Sequence, residues 1–223
     1  MSLYVVSTPI GNLSDITYRA VEILSSVHLI AAEDTRHSKK LLSHYSIPTP
    51  LTSYHSHTSD KKVKALTEEL KAGKDIALIS DAGTPGISDP AWSLIQSALD
   101  ADVTVIPIPG PAAFLTALTG SGLPMDKFNY RGFIPAKKGR MTLFKSIKEE
   151  KRTTVFYESP HRILKSLTQL LEALGPDRKI VIARELTKIH ETFHRGTLQE
   201  LHDEFTDAPP KGEIVLLVAP ENF

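Results

Sequence analysis

The run Leu3-Tyr4-Val5-Val6-Ser7-Thr8-Pro9-Ile10-Gly11-Asn12 sets how the rest of the chain is read. Its apolar, β-branched start favours a strand over residues 3–9, and the Pro, Gly and Asn that follow turn the chain in a tight loop. Ile16, Ala20, Ile23, Leu24 and Val27 then recur at helical spacing, so a helix follows, with Ser14 or Asp15 as its N-cap. Strand, Gly/Pro loop and helix in succession is the repeating unit of parallel α/β proteins.

The unit recurs along the chain. Residues 28–34 read as a second strand ending in Glu33-Asp34-Thr35-Arg36, and Val63, Leu66 and Leu70 mark a helix closed by Gly73. Residues 75–81 read as a strand. Asp89-Pro90 is expected to open a helix carrying Trp92, Ile95 and Leu99, with Asp as N-cap and Pro at the first helical position. A strand over 103–109 runs into Pro109-Gly110-Pro111. Beyond a Gly/Pro-rich stretch at 120–124, strands at 153–159 and 179–185 flank a helix bearing Ile163, Leu164, Leu167, Leu170, Leu171 and Leu174, capped by Gly175. Thr197-Leu198-Gln199-Glu200 has the form of a capping box, and 213–219 is a last strand. The domain boundary is placed near 111–125, giving an N-terminal α/β domain over 1–111 and a C-terminal one over 112–223.

The chain has 223 residues, 41% of them apolar, and no cysteine. This excludes disordered and disulfide-scaffold classes, Cys-ligated zinc and a thiol nucleophile, and a cytoplasmic protein is expected. Residues 111–123 and 214–220, the most apolar stretches, fall short of the roughly 18 residues a spanning helix needs. The N-terminus carries no basic leader and does not read as a signal peptide.

Lys plus Arg and Asp plus Glu both number 26, so bulk attraction to nucleic acid is not the organising force. The charge is nonetheless polarised. Residues 131–165 hold ten cations (Arg131, Lys137, Lys138, Arg140, Lys145, Lys148, Lys151, Arg152, Arg162, Lys165) against three acids (Glu149, Glu150, Glu158). Such a segment is either a solvated helix face or a phosphate-facing patch.

Three loops stand at predicted strand ends: Thr8-Pro9-Ile10-Gly11-Asn12, Ser80-Asp81-Ala82-Gly83-Thr84-Pro85-Gly86 and Pro109-Gly110-Pro111-Ala112-Ala113. Any one is an ordinary turn; three in series point to a shared small-molecule cleft beyond the carboxyl ends of the strands. None fits the dinucleotide or P-loop fingerprint. Glu33-Asp34-Thr35-Arg36 and Phe156-Tyr157-Glu158-Ser159-Pro160-His161-Arg162 put acids and an Arg at strand ends. They suit either N-capping with solvated ion pairs, or a phosphodiester held by Arg beside a carboxylate that takes a hydroxyl proton. His190-Glu191-Thr192-Phe193-His194 matches the zincin pattern, which needs a helix, whereas Thr187, Ile189, Thr192 and Phe193 favour a strand. His55-Ser56-His57 reads as a polar loop.

As a set these stretches, together with Ala183-Arg184-Glu185-Leu186-Thr187-Lys188 and Lys211-Gly212-Glu213, resemble the small-subunit rRNA (cytidine-2′-O)-methyltransferases of the tetrapyrrole methylase superfamily. The resemblance runs in family order over essentially the whole chain. It implies an α/β, two-domain, tetrapyrrole-methylase-like fold (class III S-adenosylmethionine methyltransferase), the methyl donor S-adenosylmethionine between the domains, and a homodimer. It implies donor contacts at Pro9, Asp81, Gly83, Thr84, Pro85, Pro111, Ala112, Ala113 and Tyr157. Glu33, Asp34, Arg36, Glu158, His161, Arg162, Arg184, Glu185 and Lys188 would line the substrate side, the substrate being 16S rRNA or the small ribosomal subunit. Many relatives carry a further helical, basic segment beyond the point at which this sequence stops.

The expected reaction moves a methyl group to a ribose 2′-hydroxyl of a cytidine, and it requires no metal. A ribose hydroxyl barely ionises at neutral pH, so a proton acceptor or a cation beside the nascent alkoxide is needed. Asp34, Glu158 and His161 are the base candidates, and Arg36 the electrostatic one. The alternatives are methylation of a tetrapyrrole precursor, a zinc peptidase built on His190 and His194, and an RNA-binding module without catalysis.

Overall fold

In the N-terminal unit, Met1–Ala112, β1 (Ser2–Val6) lies inside an all-parallel sheet. The computed structural model describes residues 1–223. The other strands of this sheet are β2 (Leu29–Ala32), β3 (Leu51–Ser53), β4 (Ile76–Ile79) and β5 (Thr104–Ile108), in the order β3-β2-β4-β1-β5. Helices α1 (Tyr18–Ser26), α2 (Thr35–His44), α3 (Asp60–Lys71) and α4 (Trp92–Asp100) connect them.

Burial on both faces follows from the side-chain alternation of β4. Ile76 and Leu78 join Leu66, Leu70, Leu94 and Ala98 from α3 and α4, while Ala77 and Ile79 join Ala20, Leu24 and Leu42 from α1 and α2. Every strand therefore ends its run at the same edge, where the three Gly/Pro loops begin.

Two local expectations are corrected here, and one helix is added. Helix α1 starts at Tyr18, and Thr17 is its cap, accepting from the Ala20 N–H at 3.1 Å; Ser14 and Asp15 lie in a separate 3₁₀ turn, Leu13–Asp15, capped by Asn12. Helix α4 starts at Trp92 with no side-chain cap, so Asp89-Pro90 stops short of it. Its buried positions are Leu94 and Ala98, while Trp92 is 75% exposed. Helix α2 has no counterpart in the pattern reading: its run is polar, and only Ser38, Leu41 and Leu42 are buried.

The C-terminal unit, Ala113–Phe223, opens on α5 (Ala113–Ser121) and β6 (Phe128–Phe133), followed by α6 (Arg140–Ser146) and β7 (Thr153–Glu158). It continues through α7 (Ile163–Leu174), β8 (Lys179–Arg184), β9 (Thr192–Thr197), α8 (Leu198–Asp207) and β10 (Ile214–Val218). The sheet order is β6-β7-β10-β8-β9. Only the β6–β7 pairing is parallel; β10 pairs antiparallel with both β7 and β8, and β9 antiparallel with β8. The expectation of a second parallel series is thus corrected, because a short apolar run has the same composition in either direction.

One face carries Phe156, Ile182 and Leu216 against Phe144, Leu167, Leu170, Leu201 and Phe205. Helix α5 packs on the sheet as well, touching β7, β8, β9 and β10. The Gly/Pro-rich stretch at 120–124 is therefore no linker: Gly120 belongs to α5, and a Cβ there would lie 2.6 Å from the Phe193 ring of β9. The capping box at Thr197 and Glu200 is formed as read. No helix is long and apolar enough to cross a membrane.

Gly120→Ala forces the Phe193 ring to move and is expected to destabilise the protein by about 1–3 kcal/mol. Phe193→Leu in the same chain should recover part of that loss, and thermal melts of the two single variants and the double variant measure the coupling.

Candidate active site

The loops after β1, β4 and β5 are tied to one another. Thr8 and Gly83 exchange backbone hydrogen bonds, each N–H donating to the other's carbonyl at 2.9 Å. The Ser7 and Thr84 hydroxyls are 2.9 Å apart, Thr84 Oγ1 donates to the Pro111 carbonyl at 3.1 Å, and Thr8 Oγ1 donates to the Ser80 carbonyl at 3.2 Å. Gly83 sits at φ +81°, which only glycine adopts freely. At Gly110 the constraint is space, since a Cβ would stand 2.7 Å from that of Ser7. Of the expected donor contacts, Pro9, Gly83, Thr84, Pro85, Pro111 and Ala112 thus lie on one rigid set of loops. Ala113 and Tyr157 belong to the C-terminal unit, where Tyr157 Oη accepts from the Phe114 N–H at 3.2 Å in the first turn of α5.

Carboxyl groups collect beside these loops. Asp81 Oδ1 accepts from the Asp34 N–H at 2.9 Å, and Glu33 Oε2 from the Asp81 N–H at 3.4 Å. Asp34 itself caps α2, accepting from the Arg36 N–H at 2.8 Å and from the Arg36 Nη2 at 2.9 Å. The Arg36 side chain and backbone N–H hold the Asp34 carboxyl down at about 2. Asp89 moves the other way: burial, reinforced by the Glu33 charge, pushes it up to about 6. Pattern reading assigned Asp89 to a helix cap and missed its place in this group.

In the C-terminal unit the chemistry gathers at the end of β7. The Glu158 carboxylate, fully buried, accepts from Arg162 Nη2 at 2.6 Å and the Ser159 N–H at 2.7 Å; its other oxygen lies 2.6 Å from Ser166 Oγ and 3.5 Å from Arg140 Nη1. Arg140 is also buried, donating from Nε to Gln169 Oε1 at 2.5 Å and from Nη1 to the Pro135 carbonyl at 3.1 Å. Burial draws its guanidinium below the ordinary range, and Glu158 opposes the shift. Arg162 stays partly in solvent, and His161 is exposed beside it. Arg140, Ser166 and Gln169 were not singled out from the sequence, since nothing local marks a cation in a basic segment as a buried one.

Across β10 from Glu158, with Ile214 between them in register, lies Arg184. Its Nη1 donates to the Lys211 carbonyl at 2.9 Å. Lys188 Nζ bridges Glu185 and Glu213, at 3.0 Å to each. The Glu213 N–H donates to Glu185 Oε1 at 2.9 Å and, with Lys188, draws the Glu185 carboxyl below its usual value. Arg184, Glu185 and Lys188 therefore stitch two loops together at the same sheet edge as Glu158.

The zincin-like pattern is overturned as a peptidase site. Thr192, Phe193 and His194 lie in strand β9, so His190 and His194 cannot share a helical face, and His194 pairs with Glu204 at 2.7 Å. No group of three His, Asp or Glu is placed to hold a metal ion. His55 and His57 sit in the polar loop after β3, as read.

An all-parallel unit with Gly/Pro loops at its strand ends, followed along the chain by a mixed-sheet unit, is a fold shared with solved structures. Uroporphyrin-III-C-methyltransferase from Thermus thermophilus superposes with a TM-score of 0.68 at 16% identity, over 98% of this chain and 94% of that one. A crystal structure of the same enzyme complexed with S-adenyl homocysteine gives 0.67 at 17% identity, over 98% and 97% of the two chains. Diphthine synthase gives 0.74 at 14%, over 98% and 90%. At such identities the likeness is one of fold.

Sequence comparison is more specific. The profile of the Tetrapyrrole (Corrin/Porphyrin) Methylases matches residues 2–202, and the chain belongs to that family. Ribosomal RNA small subunit methyltransferase I of Synechocystis sp. is 52% identical over 218 residues, 97% of this chain and 78% of that protein. The protein of the same name from Escherichia coli O157:H7 is 50% identical over 222 residues, 97% and 77% of the two chains. Relatives at this identity are named for rRNA, so methylation of a tetrapyrrole precursor is set aside.

A carboxyl group that keeps its proton up to about 6 in the fold, against 3.8 ordinarily, makes the folded state lose stability as pH rises from about 4 through about 6. Asp89→Asn removes that charge and is expected to raise stability by about 1–2 kcal/mol near pH 8, a few degrees in Tm, with little change near pH 4. Melting curves at the two pH values check it.

Proposed function

We propose that the chain is an S-adenosylmethionine-dependent methyltransferase acting on the ribose 2′-hydroxyl of a cytidine in small-subunit rRNA. The observation that carries this is the 50–52% identity over 97% of the chain to proteins named ribosomal RNA small subunit methyltransferase I. A soluble, cytoplasmic homodimer belongs to the same reading.

The residues present suit the donor. Its sulfonium and amino groups are cationic, and the loops around Thr8, Gly83 and Pro111 would set backbone against it, with Glu33, Asp81 and Asp89 alongside those loops. When bound, S-adenosylmethionine supplies an electrophilic methyl carbon. The chain's part is alignment of the hydroxyl, removal of its proton and stabilisation of the oxygen's developing charge.

Hydrogen-bond commitment and exposure favour His161 among the proton acceptors. Asp34 is committed to capping α2 and, at about 2, is a weak base. Glu158 is buried and engaged by Arg162, Ser159, Ser166 and Arg140, so it serves to position Arg162. His161, exposed beside Arg162, takes the role of base, and Arg162 and the largely exposed Arg36 contact phosphate or the developing alkoxide.

Labelled S-adenosylmethionine with undermethylated small subunits should place label on a cytidine ribose of the rRNA, and an unlabelled rRNA sinks the reading. His161→Gln is expected to lower kcat by about 100-fold with KM little changed, read from steady-state methylation rates.

A further inference from the structure

Strand β6 is an edge strand, and its pairing with β7 slips between Tyr130 and Phe133. Tyr130 stands opposite Val155, but Phe133, not residue 132, stands opposite Tyr157, and Gly132 within the slip has φ +64°. The extra residue is a β-bulge, and its consequence is a change of face. In a regular strand residues 130 and 133 point to opposite sides; the bulge returns Phe133 to the side of Tyr130.

The result is a row of rings. Phe114 lies 4.5 Å from Tyr130, Tyr130 lies 5.4 Å from Tyr157, and Tyr157 lies 5.4 Å from Phe133, the last two meeting edge to face. The inner members are half-buried, and Phe133, at the end of the row, is 57% exposed. Its position is fixed from behind. The Ile134 N–H donates to the Tyr157 carbonyl at 3.2 Å, and buried Arg140 holds the Pro135 carbonyl at 3.1 Å. Arg131, Lys137 and Lys138, close to it along the chain and within the basic segment, are exposed.

We infer that Phe133 is a stacking platform for an unpaired nucleobase of the RNA substrate, with the adjoining cations taking the flanking phosphates. This rests on the rRNA methyltransferase reading and assigns a specificity-determining residue to it. A rigid, solvent-facing ring beside cations is the pairing of features by which proteins hold single-stranded nucleic acid, one ring per base and Lys or Arg along the backbone. A duplex would offer no free base face there, so the proposal commits to a splayed-out nucleotide.

The test compares wild type with Phe133→Ala, Phe133→Leu and Phe133→Trp, using methylation of undermethylated small subunits and calorimetric binding of S-adenosylhomocysteine. Loss of a stacked base predicts a rise in KM for subunits of about 5- to 100-fold in the Ala variant, with kcat and S-adenosylhomocysteine affinity unchanged. Trp should restore KM to within about threefold of wild type. Leu, which fills similar volume without a π face, should not. A Leu variant as good as wild type, an unmoved KM in the Ala variant, or a loss confined to S-adenosylhomocysteine affinity overturns the platform while the enzyme's function stands. A wild-type protein that labels no subunit overturns the function and the platform with it.

Discussion

The reciprocal hydrogen bonds between Thr8 and Gly83 are the constraint on which the N-terminal site depends. Two strands that are neighbours in a parallel sheet diverge into separate loops beyond their ends, and loops of this length ordinarily wander. Here the loops after β1 and β4 are rejoined by one isolated antiparallel bridge, and Thr84 then reaches the carbonyl of Pro111 from the loop after β5. Three connections leave the sheet as one object. Glycine is needed at three points of that object, Gly83 and Gly86 for their positive φ and Gly110 for its approach to Ser7. The carboxyl groups of Glu33, Asp81 and Asp89 are carried at the same edge, which gives the loops a sign of charge as well as a shape.

The C-terminal unit solves a different problem with a buried ion network. Taking Arg140 and Glu158 out of water is unfavourable unless nearly every polar atom finds a partner, and Ser166, Gln169, Arg162, the Ser159 N–H and the Pro135 carbonyl supply them. Such a network contributes little net stability compared with an apolar core. Its effect is to specify geometry: one end fixes the chain leaving β6, and the other fixes Arg162 at the end of β7. The two features that face solvent there, an aromatic ring and a guanidinium, are therefore held by the same buried charges.

Residue types and spacing were enough to place the strand-end loops, the parallel N-terminal sheet, the long α7 with its Gly175 cap and the capping box at Thr197, because each rests on periodicity or on one local hydrogen bond. They were also enough for the family, since its motifs are contiguous. They did not disclose α2, whose turns are polar on most sides, or β6, whose pairing is broken by a bulge. Asp89 looked like a helix cap because Asp-Pro is a good helix start, yet the chain runs past it to Trp92.

What the sequence determined by itself is the list of chemical groups at strand ends and the order in which the chain presents them. Long-range packing adds which of those groups are engaged by partners from elsewhere in the chain. Asp34, Glu158 and His161 are equivalent on paper as proton acceptors; Asp34 is committed by the helix it caps and Glu158 by four donors around a buried carboxylate. Strand direction in the second sheet and the solvent exposure of Phe133 were settled in the same way. Hydrogen-bond commitment and burial are set by residues far apart in the chain, and no local pattern encodes them.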